Sequence, residues 1–145
     1  MTADGTIHVL LVDDSPTDAM LTREALEHAK TPNRLHVVEN GVEAMEFLHR
    51  VGKHTAAPRP DIILLDLNMP RKNGQEVLVD IKSDENLKAI PVVVLTTSKT
   101  GPDVIEAYAH HANCYITKPV DFDAFVEVLL SIQSFWFNVV TLPPA

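Results

Sequence analysis

Short apolar runs alternate along the chain with longer stretches in which apolar residues recur at helical spacing. The runs are IHVLLV (7–12), LHVVE (35–39), DIILLD (61–66), PVVVLT (91–96) and CYITK (114–118). They are rich in β-branched residues and bounded by turn formers, so they predict five strands. The first, third and fourth are nearly continuous in apolar residues, which predicts central strands covered on both faces. Between the first two, Ser15 offers an N-cap, Pro16 presets the first helical φ and Asp18 suits the positive helix end, predicting a helix over 16–29. Val42, Met45 and Leu48 recur at threes on a second helix beginning near Gly41, and Val77, Leu78 and Ile81 mark a third over 75–83. Pro102 opens a fourth running to 111, and Asp121 or Asp123 caps a fifth that carries Phe122, Phe125, Leu129 and Ile132. Right-handed crossovers turn five such βα units into a doubly wound, parallel α/β sheet, with its functional crevice outside the carboxyl ends of the strands.

Composition narrows the function. With 145 residues, 46% of them hydrophobic, the chain can build one domain with its own core. Twenty acidic residues against 12 basic ones give a formal charge of -8, and no Lys/Arg block is present to follow a phosphate backbone, so direct nucleic-acid binding is not expected. The first apolar run stops at Asp13 and Asp14, too early for a signal peptide or membrane span, and a cytoplasmic protein is expected. Cys114 is the single cysteine, which excludes an intramolecular disulfide and a multi-cysteine metal site; it reads as a small buried hydrophobe.

The polar residues at the predicted carboxyl edge form a pattern. Asp13 and Asp14 follow the first strand, Asp66 ends the third, Thr96 ends the fourth and Lys118 ends the fifth. Three carboxylates brought together repel one another and need protonation or a divalent cation. Oxygen-only ligands suit Mg2+, which keeps coordination positions open for a phosphoryl group. Asp66 could then attack phosphorus to give an aspartyl-phosphate, with Lys118 and the Thr96 hydroxyl meeting charge on the phosphoryl oxygens.

The segments LLVDDSPTD, LLDLNMPRKNG, VVVLTTS and CYITKP resemble, in order, the signatures of a response-regulator receiver domain over residues 7–134. That resemblance implies a flavodoxin-like fold with strand order 2-1-3-4-5. It implies Asp66 as phosphoacceptor, Asp14 as a direct Mg2+ ligand, Asp13 as a ligand mainly through water, and the Asn68 backbone carbonyl as a further ligand. Thr96 and Lys118 would contact the phosphoryl group, and the Lys118–Pro119 peptide would be cis. It also implies a switch in which Thr96 moves toward the phosphoryl group while Tyr115 turns inward. Thr97 is an adjacent candidate hydroxyl, though a count of five from Pro91 selects Thr96; family members often carry alanine where Thr97 stands.

LHRVGKHTAAPRPD, IKSDENLKAIPVVVLTTS, NCYITKPV and the terminal FWFNVVTLPPA are similar to the single-domain regulators paired with phytochrome-type histidine kinases. The resemblance implies a sensor histidine kinase as partner, a homodimer, and output through contacts with a downstream protein. Residues 135–145 read as a separate tail, with Phe135, Trp136 and Phe137 as interface candidates. His8, His28, His36, His49, His54, His110 and His111 have no metal-ligand spacing and receive no catalytic role, and Arg71, Lys72 and Asn73 read as a solvated turn. A phosphate sink or phosphorelay shuttle would use the same site. A Mg2+-dependent phosphohydrolase is disfavoured because Asn68 stands where such enzymes carry an aspartate general acid, and a nucleotide-binding domain lacks its glycine-rich loop.

Overall fold

The computed structural model describes residues 4–144. Strands β1 (Ile7–Val12), β2 (Asn33–Val38), β3 (Ile62–Leu65), β4 (Val92–Thr96) and β5 (Cys114–Thr117) alternate with helices α1 (Pro16–Glu27), α2 (Gly41–His49), α3 (Gly74–Ser83), α4 (Gly101–Ala109) and α5 (Phe122–Ser134). All neighbouring strands pair in parallel, in the expected order β2-β1-β3-β4-β5. β1, β3 and β4 are interior strands in which every residue is buried. Side chains alternate between two apolar layers, which is why these strands cannot alternate in polarity. Leu10, Val12, Ile63, Leu65 and Val94 pack with Phe47, Val77, Leu78 and Ile81 of α2 and α3. On the other face, Val9, Leu11, Ile62, Leu64 and Leu95 pack with Leu21 and Leu26 of α1 and with Phe125, Leu129 and Ile132 of α5.

Each of the helices α1 to α5 starts on a polar cap. Ser15, Asn40, Asn73, Thr100 and Asp121 accept from the backbone N–H groups of Asp18, Glu43, Glu76, Asp103 and Ala124. Asp121 is therefore the cap of α5, while Asp123 sits in its first turn. Asn73 is more than a solvated turn residue, because it forms a capping box with Glu76. β2 begins two residues before the run read from sequence, because Ile7 of β1 already pairs with Asn33.

The chain does not leave the domain at Ser134. It continues through a π-helical turn, Phe135–Val139, closed by Val140 N–H donating to the Phe135 carbonyl at 3.0 Å. Trp136, Phe137 and Leu142 pack against the α1/α5 layer. Phe135 and Val139 stay exposed, at 48% and 69%. The tail is thus divided between a face that folds back and a face that does not. Cys114 is half-buried against the same layer, and burial pushes its thiol above the ordinary range, as suits a packing residue.

Two histidines that are far apart in sequence meet on the sheet. Leu10 pairs with His36, so His36 shares a face with His8, and their rings stack with centroids 5.3 Å apart. His8 Nδ1 and His36 Nε2 lie 3.0 Å apart and share a hydrogen bond, which needs one of the two nitrogens unprotonated. Phe47 covers His36, and His54 packs beyond it with its Nε2 3.3 Å from Glu43 Oε1. Burial lowers the pKa of both His8 and His36, helped by Arg34 for each. Values lowered in the folded state mean that the unfolded chain binds more protons, so stability is complete above the ordinary histidine value of about 6.5 and falls as pH drops through it. Urea denaturation should show the midpoint falling between about pH 7.5 and about pH 5.5, and His36→Leu should reduce that fall. An equal fall in the variant would assign the acid sensitivity elsewhere.

Candidate functional site

Register assembles the site. Val12 of β1 pairs with Leu65 of β3, so Asp13 and Asp66 leave the sheet side by side. Their backbones are fixed by Asp13 N–H donating to the Val38 carbonyl and Asp66 N–H donating to the Val12 carbonyl, both at 3.0 Å. Carboxylate oxygens of Asp13, Asp14 and Asp66 lie within 4.8 Å of one another. Asp13 and Asp66 are buried, at 2% and 8% exposure, whereas Asp14 is open to solvent. The donor set is hard oxygen only, which fits a divalent cation of the magnesium or manganese type and not a thiolate- or imidazole-preferring metal.

Lys118 enters this cluster from the end of β5. Its backbone N–H donates to the Thr96 carbonyl at 2.7 Å. Its buried ammonium donates to Asp13 Oδ2 at 2.7 Å, to Asp18 Oδ2 at 2.8 Å and, more loosely, to Asp66 Oδ2 at 3.4 Å. Burial opposes the charge on Lys118, but the bonds to Asp13 and Asp18 outweigh it and hold the ammonium protonated well beyond the ordinary lysine range. Burial also pushes the Asp13 carboxyl upward against the pull of Lys118, with the charge of Asp66 adding to the rise.

The expected cis peptide between Lys118 and Pro119 is not found: no peptide bond among the described residues is cis. Trans is the lower-energy X-Pro form by about 0.5–1 kcal/mol. With a trans link the Lys118 backbone already bonds Thr96 and its side chain already reaches three carboxylates, so cis geometry would add no contact seen here. Asp18 is the member of the cluster that sequence reading did not single out. Its helix-start role explained it, and its place in the first turn of α1, facing the carboxyl edge, was the available signal.

The hydroxyl side of the site is equally defined. Thr96 is fully buried and Thr97 is exposed, so only Thr96 faces the interior. Thr96 Oγ1 accepts from Asn68 Nδ2 at 3.3 Å and from Ser98 N–H at 3.5 Å. Asn68 N–H in turn donates to Asp66 Oδ1 at 3.2 Å, which curls the segment after β3 back onto the carboxylate. Tyr115 packs at the edge of the α2/α3 layer and its hydroxyl donates to the Ser98 carbonyl at 2.7 Å. The Tyr115 ring is therefore tied to the loop that follows Thr96.

Two glycines allow the segment after β3 to close. A Cβ on Gly74 would collide with the Asp66 carbonyl and Leu67 Cα, and a Cβ on Gly41 would collide with the Lys72 carbonyl. Gly41 N–H donates to that same carbonyl at 3.1 Å, while Lys72 Nζ pairs with Asp80 at 2.5 Å, so the Arg71–Asn73 turn is docked on α2 and α3. Asp13, Asp14, Asp66, Lys118, Asn68 and Thr96 are thus brought together. Phe135, Trp136 and Phe137 are not part of this cluster; they follow the far end of α5.

The sequence and fold are similar to those of known proteins. The response regulator receiver domain family matches residues 9–130. Response regulator Rcp1 of Synechocystis sp. is 46% identical over 137 residues, covering 94% of this chain and 93% of that protein. The Mn2+-bound form of Rcp1 superposes with a TM-score of 0.93 at 45% identity, covering 95% of this chain and 99% of that one. The phosphorylated cyanobacterial phytochrome response regulator RcpA also gives a TM-score of 0.93, at 44% identity, covering 96% of this chain and 99% of that one. With its parallel sheet, its three clustered carboxylates and a family match over most of its length, this chain belongs to the response regulator receiver domains.

Proposed function

We propose that the chain is a phosphoacceptor switch acting in the cytoplasm, in which Asp66 takes a phosphoryl group from the phosphohistidine of a sensor kinase of the phytochrome type. The observation that carries this reading is the Lys118 ammonium 3.4 Å from Asp66, within a group of carboxylates whose oxygens lie within 4.8 Å of one another. The pairing with a phytochrome kinase is supported by the likeness to RcpA and Rcp1 along nearly the whole of each chain. No helix among the described residues is long and apolar enough to cross a membrane.

In this reading Asp13, Asp14, Asp66 and the Asn68 backbone carbonyl hold Mg2+, the oxygen-ligated cation that phosphoryl transfer uses. Bound there, it supplies charge neutralisation and a template for the phosphoryl oxygens. An Asp66 oxygen forms the new P–O bond as the P–N bond of the donor breaks and the imidazole leaves with the electron pair. Lys118 is already aimed at Asp66 and meets the charge gathering on the phosphoryl oxygens. Thr96 exchanges its bond with Asn68 for one to the phosphoryl group, and the Ser98 carbonyl shifts with it, so that Tyr115 reports the change at the surface. A downstream protein reads that surface.

Incubation with acetyl phosphate and Mg2+ should label the wild type and leave Asp66→Asn unlabelled, and a phytochrome kinase should transfer label to the wild type alone. Equal labelling of Asp66→Asn would contradict the assignment of Asp66.

The exposed half of the C-terminal helical turn supports self-association through α5 and the tail. Phe135 and Val139 are open to solvent, as are Phe122 at 64% and Val120 at 101% near the start of α5. Of the three aromatics expected at the interface, Phe135 is the one presented outward, while Trp136 and Phe137 serve the fold. In sedimentation velocity the wild type should run as a dimer and a Phe135→Asp, Val139→Asp variant as a monomer. A dimer undisturbed by both substitutions would place the interface elsewhere.

A further inference from the structure

We infer that Asp18 is a positioning residue for phosphoryl transfer: it holds the Lys118 ammonium on the α1 side of the site and keeps Asp66 out of a tight ion pair. The inference rests on the reading of Asp66 as phosphoacceptor and adds a residue to its machinery.

An ammonium has three N–H donors, and here each has one carboxylate oxygen. Two are held close, by Asp13 at 2.7 Å and Asp18 at 2.8 Å; the third points at Asp66 across 3.4 Å. The lengths are ordered usefully. A carboxylate locked to a lysine at short range shares its lone pairs with that lysine, whereas a loosely held one keeps them for phosphorus.

Asp13 alone could not set this geometry. It and Asp66 emerge side by side from paired strands, so a lysine held only by them would settle between the two. Asp18 comes from a different element and pulls from a third direction. Its own position is fixed independently of its carboxylate, because Ser15 Oγ accepts its N–H at 3.2 Å and the Thr22 hydroxyl donates to its carbonyl at 2.7 Å. Its side chain is mostly buried, at 23% exposure. Charge-assisted bonds of this kind, in a site shielded from water, hold their partners more firmly than neutral ones.

Asp18→Asn keeps the shape and both backbone contacts while removing the charge. We expect it to remain folded, as circular dichroism checks, and to be labelled by acetyl phosphate and Mg2+ about tenfold more slowly, with Asp18→Glu recovering part of the rate. The second arm needs neither metal nor phosphate: NMR of lysine ammonium groups in the metal-free protein. The Lys118 signal should exchange its protons with water about tenfold faster in Asp18→Asn than in the wild type, as expected when one of its two short bonds to a carboxylate is weakened to a bond with a neutral amide oxygen. Labelling of Asp18→Asn as fast as the wild type, or an ammonium signal indifferent to the substitution, would overturn the role of Asp18. A wild type that fails to label at Asp66 while the ammonium signal still responds would count against the phosphoacceptor reading and leave the Asp18–Lys118 tether standing.

Discussion

One ammonium stands among four carboxylates at the carboxyl end of the sheet. Lys118 bonds Asp13, Asp18 and Asp66, and Asp14 completes the acidic group beside them. Burying charges is tolerated only when they are paired, and removing one partner of a buried pair typically costs about 3–5 kcal/mol. Lys118 is therefore the counter-charge that lets Asp13 and Asp66 sit under the surface at all. It also leaves the group short of positive charge, since one cation faces four anions. That deficit is what makes the place receptive to a divalent cation and, through it, to a phosphoryl group.

The fold is arranged so that this imbalance can be held. β1 and β3 are adjacent and interior, which puts Asp13 and Asp66 at equal height. β5 lies two strands from β3, beyond β4, and Lys118 must reach back past Thr96 to the carboxylates. The Lys118 N–H donates to the Thr96 carbonyl at 2.7 Å on the way, so backbone spacing sets the hydroxyl, the ammonium and the nucleophile candidate at neighbouring strand ends. Gly74 and Gly41 then let the segment after Asp66 fold tightly over the site, where side chains at those positions would hold it open. The Tyr115 hydroxyl, tied to the Ser98 carbonyl, extends the same connection to the β5 side of the domain.

Much of this was legible in the residues because it depends on period and order. Continuous apolar runs fixed which strands are interior, and polar residues at their ends marked the crevice edge. Exposure separates Thr96 from Thr97, as the count from Pro91 does. What depends on three-dimensional approach was harder to read. Asp18 looked like a helix-start residue until the ammonium of Lys118, 100 residues further along the chain at the end of β5, was seen to bond it. His8 and His36 seemed scattered until strand register placed them on one face. The cis peptide expected at Pro119 is not found among the described residues, where a trans chain delivers Lys118 to its partners. Phe135, Trp136 and Phe137 read together as interface candidates on a separate tail, yet a helical turn splits them between core and solvent.

The central claim is that Lys118 and a divalent cation share the neutralisation of the same carboxylates, so that losing the ammonium leaves more charge for the cation to neutralise. Thermal melting of a Lys118→Met variant, with and without Mg2+, tests it most directly, because a ligand stabilises the folded state in proportion to how tightly it binds there. The account predicts a variant less stable than the wild type without metal and raised by Mg2+ through a clearly larger interval than the wild type. A Mg2+ shift no larger in the variant than in the wild type would contradict it.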